Sequence, residues 1–105
     1  MSTNKLEYIG KKGIRGTVET VLDKYLKEEE LMKGIKFLKR FKPAIKNYED
    51  ALLGFIIGQM LEKYWMMYHM ILAREPSSEE LSEYKELLIR RSLELNLKIR
   101  EFSMR

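Results

Sequence analysis

Apolar and polar residues recur with a helical period along most of this sequence, and the densest apolar stretch lies between Ala51 and Ala73. At about 100° per residue, its apolar side chains cover more than half of the helix circumference, and polar residues such as Glu62 and Lys63 share the remainder. A helix that is apolar over so much of its girth must be covered on more than one side. The pattern therefore predicts an all-α domain built around a long, largely buried central helix near residues 47–73.

A second amphipathic segment precedes the central helix. Apolar residues recur at helical spacing over residues 17–41, Thr17 has the side chain of an N-cap residue, and Pro43 ends the segment. Gly34 interrupts the apolar stripe and weakens a helix by about 1 kcal/mol relative to alanine. The segment is therefore one helix with a weak point or two shorter helices, and the expected domain is bundle-like with three or four helices.

A further helix is predicted near residues 78–103. Ser77 and Glu80 have the spacing of a capping box, and an apolar stripe follows them. Several apolar residues lie off this stripe, namely Leu87, Ile89, Leu93 and Leu97. Because one partner helix cannot cover both sets, we predict a homodimer with Leu87, Leu93 and Leu97 at its interface.

Residues 1–16 differ in composition from the rest of the chain. They contain three of the six glycines, interleaved with Lys11, Lys12 and Arg15. Because glycine tolerates backbone conformations that other residues resist, this segment is predicted to be a flexible or loop-like basic arm. Residues 17–105 are then a single helical domain.

Two glycines, Gly54 and Gly58, lie four residues apart in the central segment and share one helix face with Ala51. Small residues at this spacing let another helix approach closely. The pattern favours a tight crossing within the chain over a contact between two copies.

Composition excludes several kinds of chemistry. The 105 residues contain no cysteine, which excludes disulfides, thiolate catalysis and cysteine-ligated metals. His69 is the single histidine and has no identifiable catalytic partner, and no serine lies in a nucleophile elbow. We therefore expect a protein that is not an enzyme and that has no metal site and no cofactor.

The central segment is long enough to suggest a membrane span, but its charges argue against one. Glu62 and Lys63 lie at its midpoint, where each costs about 2.5–3.5 kcal/mol on insertion into a bilayer. The first residues also lack the apolar run of a secretory signal, so a cytoplasmic location is expected.

The strongest functional signal is a basic block at residues 33–46. The surrounding stretch, residues 31–46, carries six positive charges and no acid, although the whole chain has a net charge of only +4. Clustered lysines and arginines attract phosphates and gain affinity by releasing counterions. We therefore predict a nucleic-acid site that combines the block with the arm. Its residues are Lys11, Lys12, Arg15, Lys33, Lys36, Phe37, Lys39, Arg40, Lys42 and Lys46.

Two other interpretations of the basic block stay open. Its charges also fit an ordinary solvated helix face that Glu28, Glu29 and Glu30 neutralise in part. A basic amphipathic helix on an anionic membrane surface, anchored by Phe37 and Phe41, is less favoured, because other apolar residues of the segment are needed for the core.

Methionine and aromatic residues are concentrated in residues 64–70. Methionine is flexible and polarisable, which suits both irregular cores and surfaces that repack against partners. Met66 and Met70 lie on the polar side of the central helix, so these two are predicted to contact a partner. The alternative function is therefore a protein-interaction module, such as an inhibitor or a small subunit of a larger assembly.

Overall fold

The computed structural model describes residues 2–104, and it describes side chains from Lys5 to Met104. The elements are α1 (Ser2–Tyr25), α2 (Glu28–Lys39), α3 (Tyr48–Met67), a π-helical segment (Tyr68–Leu72) and α4 (Ser78–Ser103). No strand occurs within residues 2–104, which confirms the all-α prediction, and the four α-helices pack against each other. Met1 and Arg105, at the outer limits of the predicted arm and domain, lie outside the described residues.

The helices α1 and α2 lie end to end along α3. Tyr25, at the end of α1, donates a hydrogen bond to the side-chain oxygen of Gln59 in the middle of α3. Gly34 of α2 faces Leu52 near the start of α3, and the start of α1 lies beside the π-helical segment. Residue numbers therefore rise along α1 and α2 as they fall along α3, so both helices run antiparallel to it.

The last helix, α4, also runs antiparallel to α3. Tyr84 donates a hydrogen bond to the carbonyl oxygen of Met60 at 2.8 Å, and Arg100 pairs with Asp50 at 2.7 Å near the far end. Thus α3 contacts each of the other three helices, as its broad apolar girth predicts.

Residues 2–16 of the predicted arm are helical, and the arm is not confirmed. The first helix begins at Ser2, and Ile14, inside the predicted arm, is buried in the core with Val18 and Leu22. These three residues recur every four positions, so the apolar stripe extends upstream of residue 17. Burial of this stripe against α3 outweighs the helix-weakening effect of the nearby glycines.

The helix boundaries in the first part of the chain also differ from the prediction. Thr17 lies inside α1, where its hydroxyl donates a hydrogen bond to the carbonyl oxygen of Gly13 at 3.0 Å. The chain leaves the helical conformation at Lys27 (φ −74°, ψ 136°), not at Gly34. The three glutamates at 28–30 follow directly, and carboxylates beside the positive end of a helix dipole stabilise a new helix start.

The predicted starts of the two long C-terminal helices are confirmed. The Asn47 side chain accepts a hydrogen bond from the Asp50 N–H at 3.0 Å, and α3 begins at Tyr48. At the start of α4, Ser77 Oγ accepts from the Glu80 N–H at 3.1 Å, and the Glu80 carboxylate accepts from the Ser77 N–H at 2.8 Å. This reciprocal pair is the capping box that the sequence predicts.

The central apolar segment ends irregularly. The π-helical segment follows α3 directly, and Ala73 then adopts a left-handed backbone conformation with φ of 54°. This conformation ends the helix and turns the chain back, so that Arg74 reaches Glu80 of α4.

Glycines mark the closest approaches between helices, but not at the predicted position. A Cβ added to Gly10 or to Gly34 would lie 2.7 Å from a leucine methyl carbon on the facing segment. The tight crossing predicted at Gly54 and Gly58 is wrong, because among the described residues no packing atom lies within 4 Å of a Cβ at either position.

The buried core follows the long axis of an elongated molecule. Its residues are Ile14, Val18, Leu22, Leu31, Ile35, Leu38, Leu52, Ile56, Met60, Tyr64, Tyr68, Tyr84, Leu88, Leu95, Ile99 and Phe102. The principal extents are 55 × 23 × 19 Å, and the radius of gyration is 16.0 Å. A compact domain of this length has a radius of gyration of about 13 Å, so this chain exposes a large surface for its volume.

Candidate nucleic-acid interface

The basic block is carried by the second half of α2 and by the turns that follow it. Leu31, Ile35 and Leu38 are buried and fix α2 on the core. Beyond α2, the Phe41 N–H donates to the Leu38 carbonyl at 3.0 Å, and the Ile45 N–H donates to the Phe41 carbonyl at 3.1 Å. The block therefore stands on a hydrogen-bonded scaffold.

Seven exposed side chains of this scaffold form what we call the basic surface. They are Lys36, Phe37, Lys39, Arg40, Phe41, Lys42 and Lys46. None of the ion pairs within residues 5–104 involves one of the five cations in this set. A cation that is not paired with a carboxylate keeps its full attraction for a phosphate.

The remaining cation of the block, Lys33, is partly neutralised. Its Nζ lies 3.6 Å from a carboxylate oxygen of Glu29 and 3.9 Å from one of Glu30. The interpretation as a neutralised helix face thus applies to Lys33, at the beginning of the block, and does not extend to the basic surface.

Phe37 and Phe41 expose aromatic rings among the cations. Their side chains are 53% and 45% exposed, the ring centroids are 5.1 Å apart, and the ring planes meet at 75°. The exposed faces therefore point in different directions. Each face can stack with a base, provided that the bases are free to tilt relative to one another. From the sequence, Phe41 was expected only as a membrane anchor, whereas in the fold it lies beside Phe37.

Tyr48 positions two of the lysines. The Nζ atoms of Lys39 and Lys42 lie 4.9 Å and 5.8 Å from the centroid of its ring, within the range of cation–π interactions. Tyr48 is the first residue of α3, so this contact holds the basic surface at the end of the molecule where α3 begins. Tyr48 was not predicted as a site residue, because it lies outside the run of cations that is visible along the chain.

The three predicted cations of α1 do not join the basic surface. Lys11 Nζ lies 2.7 Å from a carboxylate oxygen of Glu80, and Arg15 Nε lies 3.7 Å from one of Glu19. Lys12 is exposed on the same part of α1. Because Lys11 lies beside the start of α4 and the basic surface lies near its end, about 35 Å of helix separates the two groups.

A largely buried carboxylate connects three elements at the start of α4. The Glu80 side chain is 12% exposed, pairs with Lys11, and accepts a hydrogen bond from Arg74 at 2.8 Å. Arg74 also pairs with Glu7 of α1. Hydrogen bonds from Arg74, and then from Lys11 and Ser77, hold the pKa of Glu80 well below its ordinary value, against the opposing effect of burial. We refer to these residues as the Glu80 cluster.

Beside the Glu80 cluster, a groove of about 790 Å³ runs between α1 and α4. Three buried tyrosines form its floor, and the rings of Tyr64 and Tyr84 are stacked with centroids 3.8 Å apart. Tyr64 donates to the Glu80 carbonyl at 3.0 Å, and burial raises the pKa of Tyr68 and of Tyr84. Within residues 5–104, every buried side-chain nitrogen and oxygen has a hydrogen-bond partner. With both signs of charge on its walls, the groove lacks the one-signed character of the basic surface.

The predicted partner residues Met66 and Met70 are exposed, at 52% and 79%. They border a shallow apolar notch of about 200 Å³ between α1 and α3. The other residues that line this notch are Thr17, Val18, Val21, Met60, Lys63 and Met67. The structure therefore places both methionines where a partner could reach them.

The predicted dimer residues do not all share one face. Leu93 and Leu97 are 71% and 70% exposed and lie in one stripe with Ile89, which is 61% exposed. Leu87 is half-buried and packs against the core, on a face about 120° from Leu93 at helical pitch. Leu87 is therefore not part of the exposed stripe, which consists of Ile89, Leu93 and Leu97.

The described part of the chain has neither a cluster of metal ligands nor a membrane-spanning helix. No three histidine, aspartate or glutamate side chains converge there in a way that could hold a metal ion. None of the helices in residues 2–104 combines the length and the apolar character that crossing a membrane requires.

Comparison of the chain with protein-family models, curated proteins and solved structures finds no match. The features of this chain that bear on function are therefore the basic surface, the exposed methionines and the exposed stripe of α4.

Proposed function

We propose that this chain is a non-catalytic protein that binds nucleic acid through the basic surface, with a preference for single strands. The observation that carries the proposal is the combination of five exposed cations, none paired with a carboxylate among residues 5–104, and two exposed aromatic rings on one hydrogen-bonded scaffold. Cations attract the phosphates, and aromatic rings stack with the bases whatever their sequence.

The geometry of the aromatic pair favours a single strand over a duplex. Bases in a duplex are stacked on one another and offer only their edges to a protein. Rings at 75°, such as those of Phe37 and Phe41, can each stack with a base only when the bases are unstacked. The burial of Leu31, Ile35 and Leu38 supports this choice over a membrane surface, because an interfacial helix needs its apolar face free for lipid.

The test measures fluorescence anisotropy of a labelled single strand and of the matching duplex at low and moderate salt. With five phosphate contacts on a single strand, the affinity should fall by about 100-fold as salt rises from about 50 to 200 mM. The variant Lys36→Glu with Arg40→Glu should weaken binding at least about tenfold and flatten the salt dependence. Phe37→Ala with Phe41→Ala should weaken single-strand binding by about tenfold or more and leave duplex binding nearly unchanged.

The matched control is Lys63→Glu with Lys85→Glu, which changes the net charge equally at two exposed lysines outside the basic surface. It should bind nearly as the natural chain does. An equal loss of affinity in both charge variants would mean that net charge alone drives binding. Unchanged affinity of Lys36→Glu with Arg40→Glu would contradict the proposal. Binding to anionic vesicles but to neither nucleic acid would replace it with a membrane surface.

A second candidate function, a protein-interaction module, has its own supporting observation. Met66 and Met70 are exposed beside an apolar notch, and methionine surfaces adapt to varied partners. Met66→Ala with Met70→Ala should leave thermal stability within about 0.5 kcal/mol of the natural chain, as exposed substitutions do, and should abolish capture of a specific partner. A large loss of stability would assign both residues to the core and contradict this candidate.

A further inference from the structure

The exposed stripe of α4 is not covered by any of the side chains that the structure describes, from Lys5 to Met104. Ile89, Leu93 and Leu97 follow one another at four-residue intervals, and each exposes well over half of its side chain. The opposite face of α4 carries Leu88, Leu95 and other buried residues. A row of large aliphatic side chains on the outer face of a helix is the pattern of a helix–helix interface.

The elongated chain has more exposed surface than a monomeric protein of its mass usually has. A monomeric protein of 12.6 kDa exposes about 6,200 Å². This chain exposes 7354 Å², which is about 1,150 Å² more. A standard protein interface removes about 800 Å² from each partner, and a chain with this much exposed surface can supply that area.

The charges around the stripe are complementary to those of a second copy. When α4 faces α4 of another chain in antiparallel orientation about Leu93, Leu97 faces Ile89 because both are four residues from the centre. Arg100 and Glu86 are seven residues from the centre, on opposite sides along the helix, so each Arg100 lies beside Glu86 of the other copy. Both side chains lie within about 20° of the centre of the stripe at helical pitch.

We propose that two copies of this chain associate through antiparallel packing of α4 on α4, centred on Leu93 and flanked by two Arg100–Glu86 pairs. Glu86 takes part in no ion pair within the described residues, so its carboxylate is available. Arg100 pairs with Asp50 and Glu49 in its own chain and keeps 44% of its side chain exposed. An isologous contact of this kind closes on itself and yields a dimer, not a filament.

The first experiment is sedimentation velocity of the full chain over a wide range of protein concentration. The natural chain should sediment as a dimer, and Leu93→Asp should raise the dissociation constant by about 100-fold or more, because it places two charges at the centre of the interface. Leu93 is exposed in the single chain, so the variant should keep its helical circular dichroism. The matched control is Leu6→Asp, at a leucine that is 67% exposed on α1, and it should remain dimeric.

The second experiment tests the antiparallel register. Glu86→Arg and Arg100→Glu should each weaken the dimer, because each brings two like-charged pairs together. Mixing the two variant chains should restore association, because every pair in the mixed dimer then joins Arg with Glu. This readout separates the dimer contact from the Arg100–Asp50 pair within one chain, since mixing cannot repair the latter.

Three results would overturn the proposal. The first is a monomeric natural chain at all concentrations, and the second is a Leu93→Asp variant that stays dimeric. The third is a failure of the mixed charge variants to associate more tightly than either alone, which would exclude the antiparallel register.

Discussion

At the scale of single residues, Glu80 has the most demanding environment in the chain. Its carboxylate pairs with Lys11 and Arg74 while only 12% of its side chain is exposed to solvent. Such a position is stable only because both oxygens accept hydrogen bonds from charged or backbone donors. Glu80 thereby ties α1 and the turn at Arg74 to the start of α4.

Glu80→Gln should lower the free energy of unfolding at neutral pH by about 2 kcal/mol, because charged hydrogen bonds are lost in a buried place. For a chain of this size, the melting temperature should fall by about 8 °C. The lowered pKa of Glu80 means that its stabilisation is present above the ordinary value of 4.5 and is lost as the pH falls through the lower value of the folded state. The difference between variant and natural chain should therefore shrink below pH 4.5.

The measurement is thermal unfolding followed by circular dichroism across this pH range. Glu79→Gln removes an exposed carboxylate from the same helix turn and is the matched control. A pH-independent difference for Glu80→Gln would show that the carboxylate's charge is not what stabilises the cluster.

Among the helices, the break between α1 and α2 lies just before a run of glutamates and not at a glycine. The break at Lys27 precedes three glutamates, whereas Gly34 stays inside α2 and lies against Leu52. A glycine here costs helix stability, but it lets α2 approach α3 more closely than a residue with a Cβ would. A Cβ added at Gly13, in α1, would have no packing atom of the described residues within 4 Å.

Gly13→Ala should therefore raise the free energy of unfolding by about 1 kcal/mol, because alanine is the better helix former. Gly34→Ala should give a smaller gain or a loss, because its Cβ would lie 2.7 Å from a methyl carbon of Leu52, which is buried. Urea unfolding of both variants measures the difference. Equal gains would show that Leu52 repacks freely and that the close approach does not constrain the sequence.

The elongated shape of the molecule keeps the basic surface and the centre of the proposed α4 dimer contact apart. The chain is 55 Å long, with the Glu80 cluster near one end of α4 and the basic surface near the other. Antiparallel packing of two α4 helices would place the two basic surfaces at opposite ends of the dimer. Each surface would then engage its own strand or a distant part of the same strand, and the central apolar stripe would stay clear of nucleic acid.

Much of the fold could be predicted from the sequence, because helix starts depend on residues within one turn of each other. The caps at Asn47 and at Ser77 with Glu80 need only three or four neighbouring residues, and both are confirmed. The N-terminal helix was predicted to begin only at residue 17, because the glycines before that position suggest a loop. Only the packing of Ile14 against the rest of the core outweighs that local preference.

The candidate site could be predicted only in part. The sequence identifies the cations, because a stretch without acids is visible in one dimension. It cannot identify which cations are neutralised from afar: Lys11 pairs with Glu80, sixty-nine positions away, and that contact exists only after α1 has packed beside α4. The same holds for Phe41 and Tyr48, whose placement depends on the turns after α2.

By itself, then, the sequence determined the helical class, the central apolar helix, the starts of α3 and α4 and the basic block, because each depends on periodicity or on neighbouring residues. Tertiary structure decided the rest. The packing of the helices fixes which cations stay unpaired among the described residues, which leucines of α4 stay exposed and which glycines lie at close contacts. The physical reason is that ion pairing and burial depend on segments that are distant in the chain and meet only when the core forms.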